Sequence, residues 1–193
     1  MISSASLIER SEQLLLLGAG CYFVFANFIP VFVTHSSVAC LYMGEALLDM
    51  IFTVTRQRGP LSHHRWDWLV AALGTYAGLL VVASPRVSPL LPSFFCGSLA
   101  LLGILISLSA KLSLRRSFGI IAASRRLKTG GPYRVIRHPM YAGYILMQVA
   151  FLLQYPTAHN AAVLLFTWWM QIMRISAEEK MLAPRNEWVG WSR

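Results

Sequence analysis

Two short stretches of this chain carry residue types at spacings suited to chemistry. The first is Gly130-Gly131-Pro132-Tyr133-Arg134-Val135-Ile136-Arg137-His138-Pro139-Met140-Tyr141-Ala142-Gly143. A Gly-Gly-Pro turn leaves backbone amides open to a ligand. Pro139 suits the first position of a helix, which sets the amides of Met140 and Tyr141 at a positive dipole end. Preceded by Arg137 and His138, such a helix start is an anion-binding arrangement. Tyr141 and Tyr144 fall on one helical face, and they equally suit an interfacial aromatic belt. The second stretch is Arg174-Ile175-Ser176-Ala177-Glu178-Glu179-Lys180-Met181-Leu182. Arg174 and Glu178 share a face at i, i+4, with Glu179 rotated about 100° from Glu178. Taken alone, Arg174 and Glu178 read as a surface ion pair of about 0.3–0.5 kcal/mol.

The segment between these stretches brings them together. Apolar blocks at 140–155 and 161–173 are joined by Tyr155-Pro156-Thr157-Ala158-His159-Asn160, a turn-rich hexapeptide, so they read as the arms of a helical hairpin. The hairpin returns the paired acids to the start of the helix at Pro139. Ahead of it, residues 111–138 hold Lys111, Arg115, Arg116, Arg125, Arg126, Lys128, Arg134 and Arg137 and no acid. Charge alone makes this a loop lying against anionic headgroups.

Further apolar blocks at 14–33, 37–54, 68–84 and 92–110 approach the roughly 20 residues that cross a bilayer. Only 13% of the 193 residues are charged, against roughly 25% in soluble domains, and mean hydropathy is +0.55. The expected fold is therefore all-α: a polytopic transmembrane bundle of four N-terminal spans plus the C-terminal hairpin, five to six membrane helices. Residues 1–110 are expected to form its N-terminal helices and 111–193 the region of the basic loop, the helical hairpin and the short C-terminal tail, in one integrated domain. The first block lacks a small-residue cleavage site and reads as a retained span, not a signal peptide.

Orientation follows from the cations. With both termini cytoplasmic, Arg86 is the only one of 17 Lys and Arg residues on the far side, as the positive-inside rule requires. The net charge of +9 thus faces headgroups, and no nucleic-acid partner is expected. Cys21, Cys40 and Cys96 lie in apolar stretches with no metal-ligand spacing, so no metal is expected. Gly74 and Gly78 offer a small-residue packing face. Glu45 and Asp49, at i, i+4 in the second block, need either a polar partner or a polar pathway, with Arg56 and Arg58 as nearby partners for Asp49.

Gly131-Pro132-Tyr133, then Arg137-His138-Pro139-x-Tyr141-x-Gly143, a hydrophobic hairpin, and Arg174-x-x-x-Glu178-Glu179-x-x-Leu182 resemble the isoprenylcysteine carboxyl methyltransferase family. Relatives of that family include phospholipid N-methyltransferases and bacterial thiol methyltransferases. The likeness covers residues 111–182; the first 110 match only as membrane helices. It implies an S-adenosylmethionine-dependent membrane methyltransferase, yielding S-adenosylhomocysteine, with its active site at the cytoplasmic face and a lipophilic acceptor arriving from the membrane lipid. By matching position, Tyr133, His138, Pro139, Met140, Tyr141 and Glu178 would line the cofactor pocket, with Arg126, Leu127 and Lys128 as its upstream wall. Arg174 would face the acceptor, aided by Arg137, and Glu179 completes the acidic pair. An acceptor carboxylate would be oriented by Arg174 and Arg137; an amine or thiol would need a base, His138 or Glu179.

The chain departs from the family after the paired acids, where Glu187-Trp188-Val189-Gly190-Trp191 replaces a Glu-Tyr-x-x-Tyr-like segment. Two other readings stand beside this one. A sterol-type membrane reductase would need a cofactor phosphate site, which the basic loop suits and the paired acids do not. A non-catalytic membrane protein or transporter would use Glu45 and Asp49 as its intramembrane polar site.

Overall fold

The computed structural model describes residues 35–55, 77–114 and 131–182 continuously, with 14, 17, 18, 20–25, 27, 28, 33, 70, 73 and 74. The described residues between 14 and 33 are helical. After them come α1 (Ser37–Thr55), α2 (Ser93–Leu114), α3 (Pro139–Gln154) and α4 (Ala158–Leu182), with 3-10 turns at Ala77–Leu80 and Gly131–Arg134. The fold is all-helical, and the hairpin read from the sequence is α3 and α4.

Among the described residues, one helix, α2, is long and apolar enough to cross a membrane. Its faces have the membrane pattern. Cys96, Ala100, Gly103, Ser107 and Ala110 make a buried stripe, while Phe94, Phe95, Leu101, Leu102, Leu105 and Leu112 are exposed. Small residues inward and large apolar residues outward is how helices pack when lipid, not water, surrounds them. The stripe lets α3 approach backbone to backbone. A Cβ on Gly143 would lie 2.6 Å from the Gly103 carbonyl oxygen and 2.7 Å from the Ser107 nitrogen. Helix α3 has 16 residues, about 24 Å at 1.5 Å per residue, short of the roughly 30 Å hydrocarbon core. Helix α4 has 25 and carries Arg174, Glu178 and Glu179 on the same rod as the hairpin arm.

The apolar block at 68–84 does not form one continuous helix: residues 77–80 are a 3-10 turn and 81–84 are irregular. Side chains from three other segments replace the helical hydrogen bonds there. Tyr42 donates its hydroxyl to the Gly78 carbonyl at 3.0 Å. Asn160, fully buried, accepts from Val82 N–H at 3.0 Å and donates to the Val82 carbonyl at 3.1 Å. Asn27 accepts from Ala83 N–H at 3.3 Å. Irregular backbone is tolerated at such a place because protein groups, not lipid, surround it. Gly78 does pack closely, as its small size suggested, against Tyr42, Gln148 and Thr167.

The core is one cluster around Phe23, Val38, Tyr42, Val81, Phe151 and Leu164. A smaller one holds Ala110, Met140 and Tyr141, with Phe52, Tyr133, Tyr144 and Ile175 against it. This second cluster underlies the site.

Candidate active site

The site lies at the end of the bundle where α1 and α2 finish, α3 begins and α4 finishes. Gly131 opens the entry turn at φ 65°, a left-handed conformation that glycine adopts without strain. A side chain there would also strike Ser113 Oγ, 2.9 Å from an added Cβ. Pro139 stands in the first turn of α3, and its N-cap, His138, makes no side-chain capping bond. The His138 imidazole is thereby left to Glu179, at 3.2 Å between Nε2 and Oε1.

The second motif meets the first as the hairpin required. Tyr141 donates its hydroxyl to Glu178 Oε1 at 2.6 Å, and Arg174 Nε donates to the same oxygen at 3.3 Å. The Arg174 guanidinium also stands over the Tyr141 ring, 5.4 Å from its centroid. Arg174 is only 6% exposed, so this i, i+4 pair is not the surface pair that spacing alone suggested. Burial first, and then the Glu178 charge, pushes the Tyr133 phenol above its ordinary range, which keeps it a neutral donor.

Below this network is a second one. Lys111, 0% exposed, meets Glu45 at 2.5 Å and Asp49 at 2.8 Å, and Ser107 donates its hydroxyl to the same Glu45 oxygen. Tyr144 donates to Asp49 at 2.9 Å while Lys111 lies over its ring. The two acids of α1 thus have partners: a lysine at the end of α2, which the sequence alone assigns to the basic loop, and a tyrosine of α3. Arg56 and Arg58 lie outside the described residues. Glu45 is engaged through one oxygen only.

The two networks border one cavity. Its lining includes Glu45, Asp49, Tyr141, Tyr144, Gln171 and Arg174, together with Gly74 and Gly78. Of the residues expected at the site, Tyr133, His138, Met140, Tyr141, Arg174, Glu178 and Glu179 gather at this end, and Pro139 is buried at the head of α3. Arg137 is exposed and outside the cavity lining. Arg126, Leu127 and Lys128 lie outside the described residues. Sequence reasoning passed over Tyr42, Gln148 and Gln171, all in the lining. The two glutamines did carry a signal, since a polar amide inside an apolar block is costly unless it has a use.

No curated protein and no solved structure matches this chain. The family model for phospholipid methyltransferase matches residues 92–185, from the start of α2 past the end of α4. That segment holds every residue of the upper network and also Lys111, but neither Glu45 nor Asp49. Residues 92–185, just under half of the chain, are thus similar to the phospholipid methyltransferases, a family of membrane methyltransferases of the isoprenylcysteine carboxyl methyltransferase-like kind.

Proposed function

We propose that the protein transfers a methyl group from S-adenosylmethionine to a lipid acceptor at the cytoplasmic membrane face, with both termini on that side. The observation that carries this reading is the union of Tyr141, Arg174 and Glu178 on one carboxylate oxygen at the rim of a cavity that enters the bundle.

The residues present fit that cosubstrate. First-turn amides of α3 have no partner within their own helix, and beside His138 they suit its carboxylate. Glu178 suits its ammonium or ribose hydroxyls, and the faces of Tyr133 and Tyr141 suit adenine and a sulfonium. When bound, it supplies an electrophilic methyl group. The protein's part is then positioning and exclusion of water. Arg174 fixes Glu178 and presents its guanidinium to the cavity, while Arg137, exposed at the mouth, attracts anionic headgroups.

Carboxylate, thiol and amine acceptors make different demands. Among the described residues, the cavity lining carries two carboxylates, Glu45 and Asp49, and one cation, Arg174. The paired carboxylates suit a lipid amine better than a lipid carboxylate, which departs from the carboxyl O-methyltransferase chemistry that the sequence resemblance implies. An amine must give up a proton before it attacks; His138 and Glu179, joined to each other and open to solvent, are the groups able to take it. The test is transfer of radiolabelled methyl to amine-, thiol- and carboxylate-headed lipids by the purified protein. Labelling of the amine lipid, reduced at least tenfold by Glu178→Ala, is expected. No labelling of any lipid by the folded protein contradicts the reading.

A further inference from the structure

Two oxygens in the cavity wall are buried and have no hydrogen-bond partner among the described residues: Glu45 Oε2 and Gln171 Oε1. Glu45 is 5% exposed and Gln171 4%, and both residues line the same cavity. A third such oxygen, Gln154 Oε1, belongs to a residue whose amide bonds Ser93 and which does not line the cavity.

Buried acceptors left open are rare, and each asks for a reason. Glu45 is also held in a particular way. Ser107 and Lys111 both donate to Oε1, so the carboxylate is fixed by one oxygen and open at the other. Gln171 approaches from α4, one helical turn before Arg174. Two open acceptors in the lining of one cavity, one from α1 and one from α4, define a site for a group with at least two polar hydrogens.

We propose that Glu45 and Gln171 are the acceptor-recognition residues, receiving the N–H groups of a lipid ammonium head, and that Lys111 and Ser107 are positioning residues that aim Glu45. The inference rests on the methyltransferase reading for the identity of the ligand as acceptor. It places one recognition residue, Glu45, on α1 outside the family-matched segment, and the other, Gln171, on α4 within it. Members that share residues 92–185 could then take different lipids by changing α1.

The experiment is calorimetric binding of dodecylamine, dodecyltrimethylammonium and laurate to the full chain in detergent micelles, referenced to protein-free micelles, with S-adenosylhomocysteine binding measured in parallel. At neutral pH dodecylamine is cationic with N–H donors, dodecyltrimethylammonium is cationic without donors, and laurate is anionic without donors. Dodecylamine is expected to bind tightest, and Glu45→Gln to weaken it about tenfold, the scale of one charge-assisted hydrogen bond, leaving S-adenosylhomocysteine affinity within about twofold. Glu45→Gln disturbs an ion pair and can compromise folding, so Gln171→Leu carries the test independently. It removes an open acceptor without touching the pairs, and should lower dodecylamine affinity several-fold while thermal stability holds or rises. A purely structural role for Gln171 would lower stability and leave dodecylamine binding alone. Equal binding of the three amphiphiles, or unchanged dodecylamine binding in both variants, overturns the proposal. Glu45-dependent dodecylamine binding without S-adenosylhomocysteine binding would overturn the methyltransferase reading and leave this one standing; the reverse pattern overturns this one alone.

Discussion

Glu45 and Asp49, paired with Lys111, line the same cavity as Arg174 and Tyr141, which meet at Glu178, yet the two clusters are held differently. The lower one joins residues 66 positions apart in the chain around a lysine with no exposed surface. The upper one is built on a single helical turn of α4 plus one tyrosine of α3, and it opens outward to Glu179, 44% exposed at its side chain. Charges fully removed from water exact a large desolvation penalty and must keep their partners. Charges at a rim can exchange them for a ligand. On this comparison the lower cluster fixes α1 to α2 and α3 while leaving Glu45 Oε2 open, and the upper cluster is the one proposed to hold the cosubstrate.

Replacing Lys111 by Met should break the comparison most visibly. It leaves buried Glu45 and partly buried Asp49 without their cation, and about 3–5 kcal/mol of stability should be lost, read by denaturation in detergent. Tyr141→Phe removes a hydrogen bond to a charged carboxylate at the upper cluster. Its expected cost is smaller, about 1.5–3 kcal/mol, with a fall in S-adenosylhomocysteine affinity that Lys111 variants still folded should not share. Gly143→Ala tests the close contact beneath both clusters. Its Cβ meets backbone atoms of α2, not a movable side-chain tip, so about 1–3 kcal/mol of overpacking strain is expected in the same denaturation measurement. Glu179→Gln should be nearly silent in stability, about 0–1 kcal/mol and less in high salt, because its pair with His138 is half exposed. A large salt-insensitive loss there would erase the distinction between the clusters.

The upper cluster was legible in the sequence because its parts are local. Arg174 and Glu178 are one helical turn apart, Pro139 announces a helix start, and the turn at Tyr155–Asn160 fixes the return. The lower cluster was legible only in its demand. Glu45 and Asp49 declared that partners must exist, but Lys111 sits at the seam between an apolar block and a run of cations, where composition assigns it to the loop. Only the extension of α2 to Leu114 turns it inward. The break at 77–84 was hidden for a related reason. Its backbone is satisfied by Tyr42, Asn160 and Asn27, whose positions along the chain say nothing about where their side chains will reach.

The most direct test of the central claim is calorimetric titration of S-adenosylhomocysteine into the purified protein, beside Glu178→Ala. The account predicts saturable binding by the wild type, weakened at least tenfold by the variant. A folded wild type that does not bind, or a variant that binds as tightly, would contradict it.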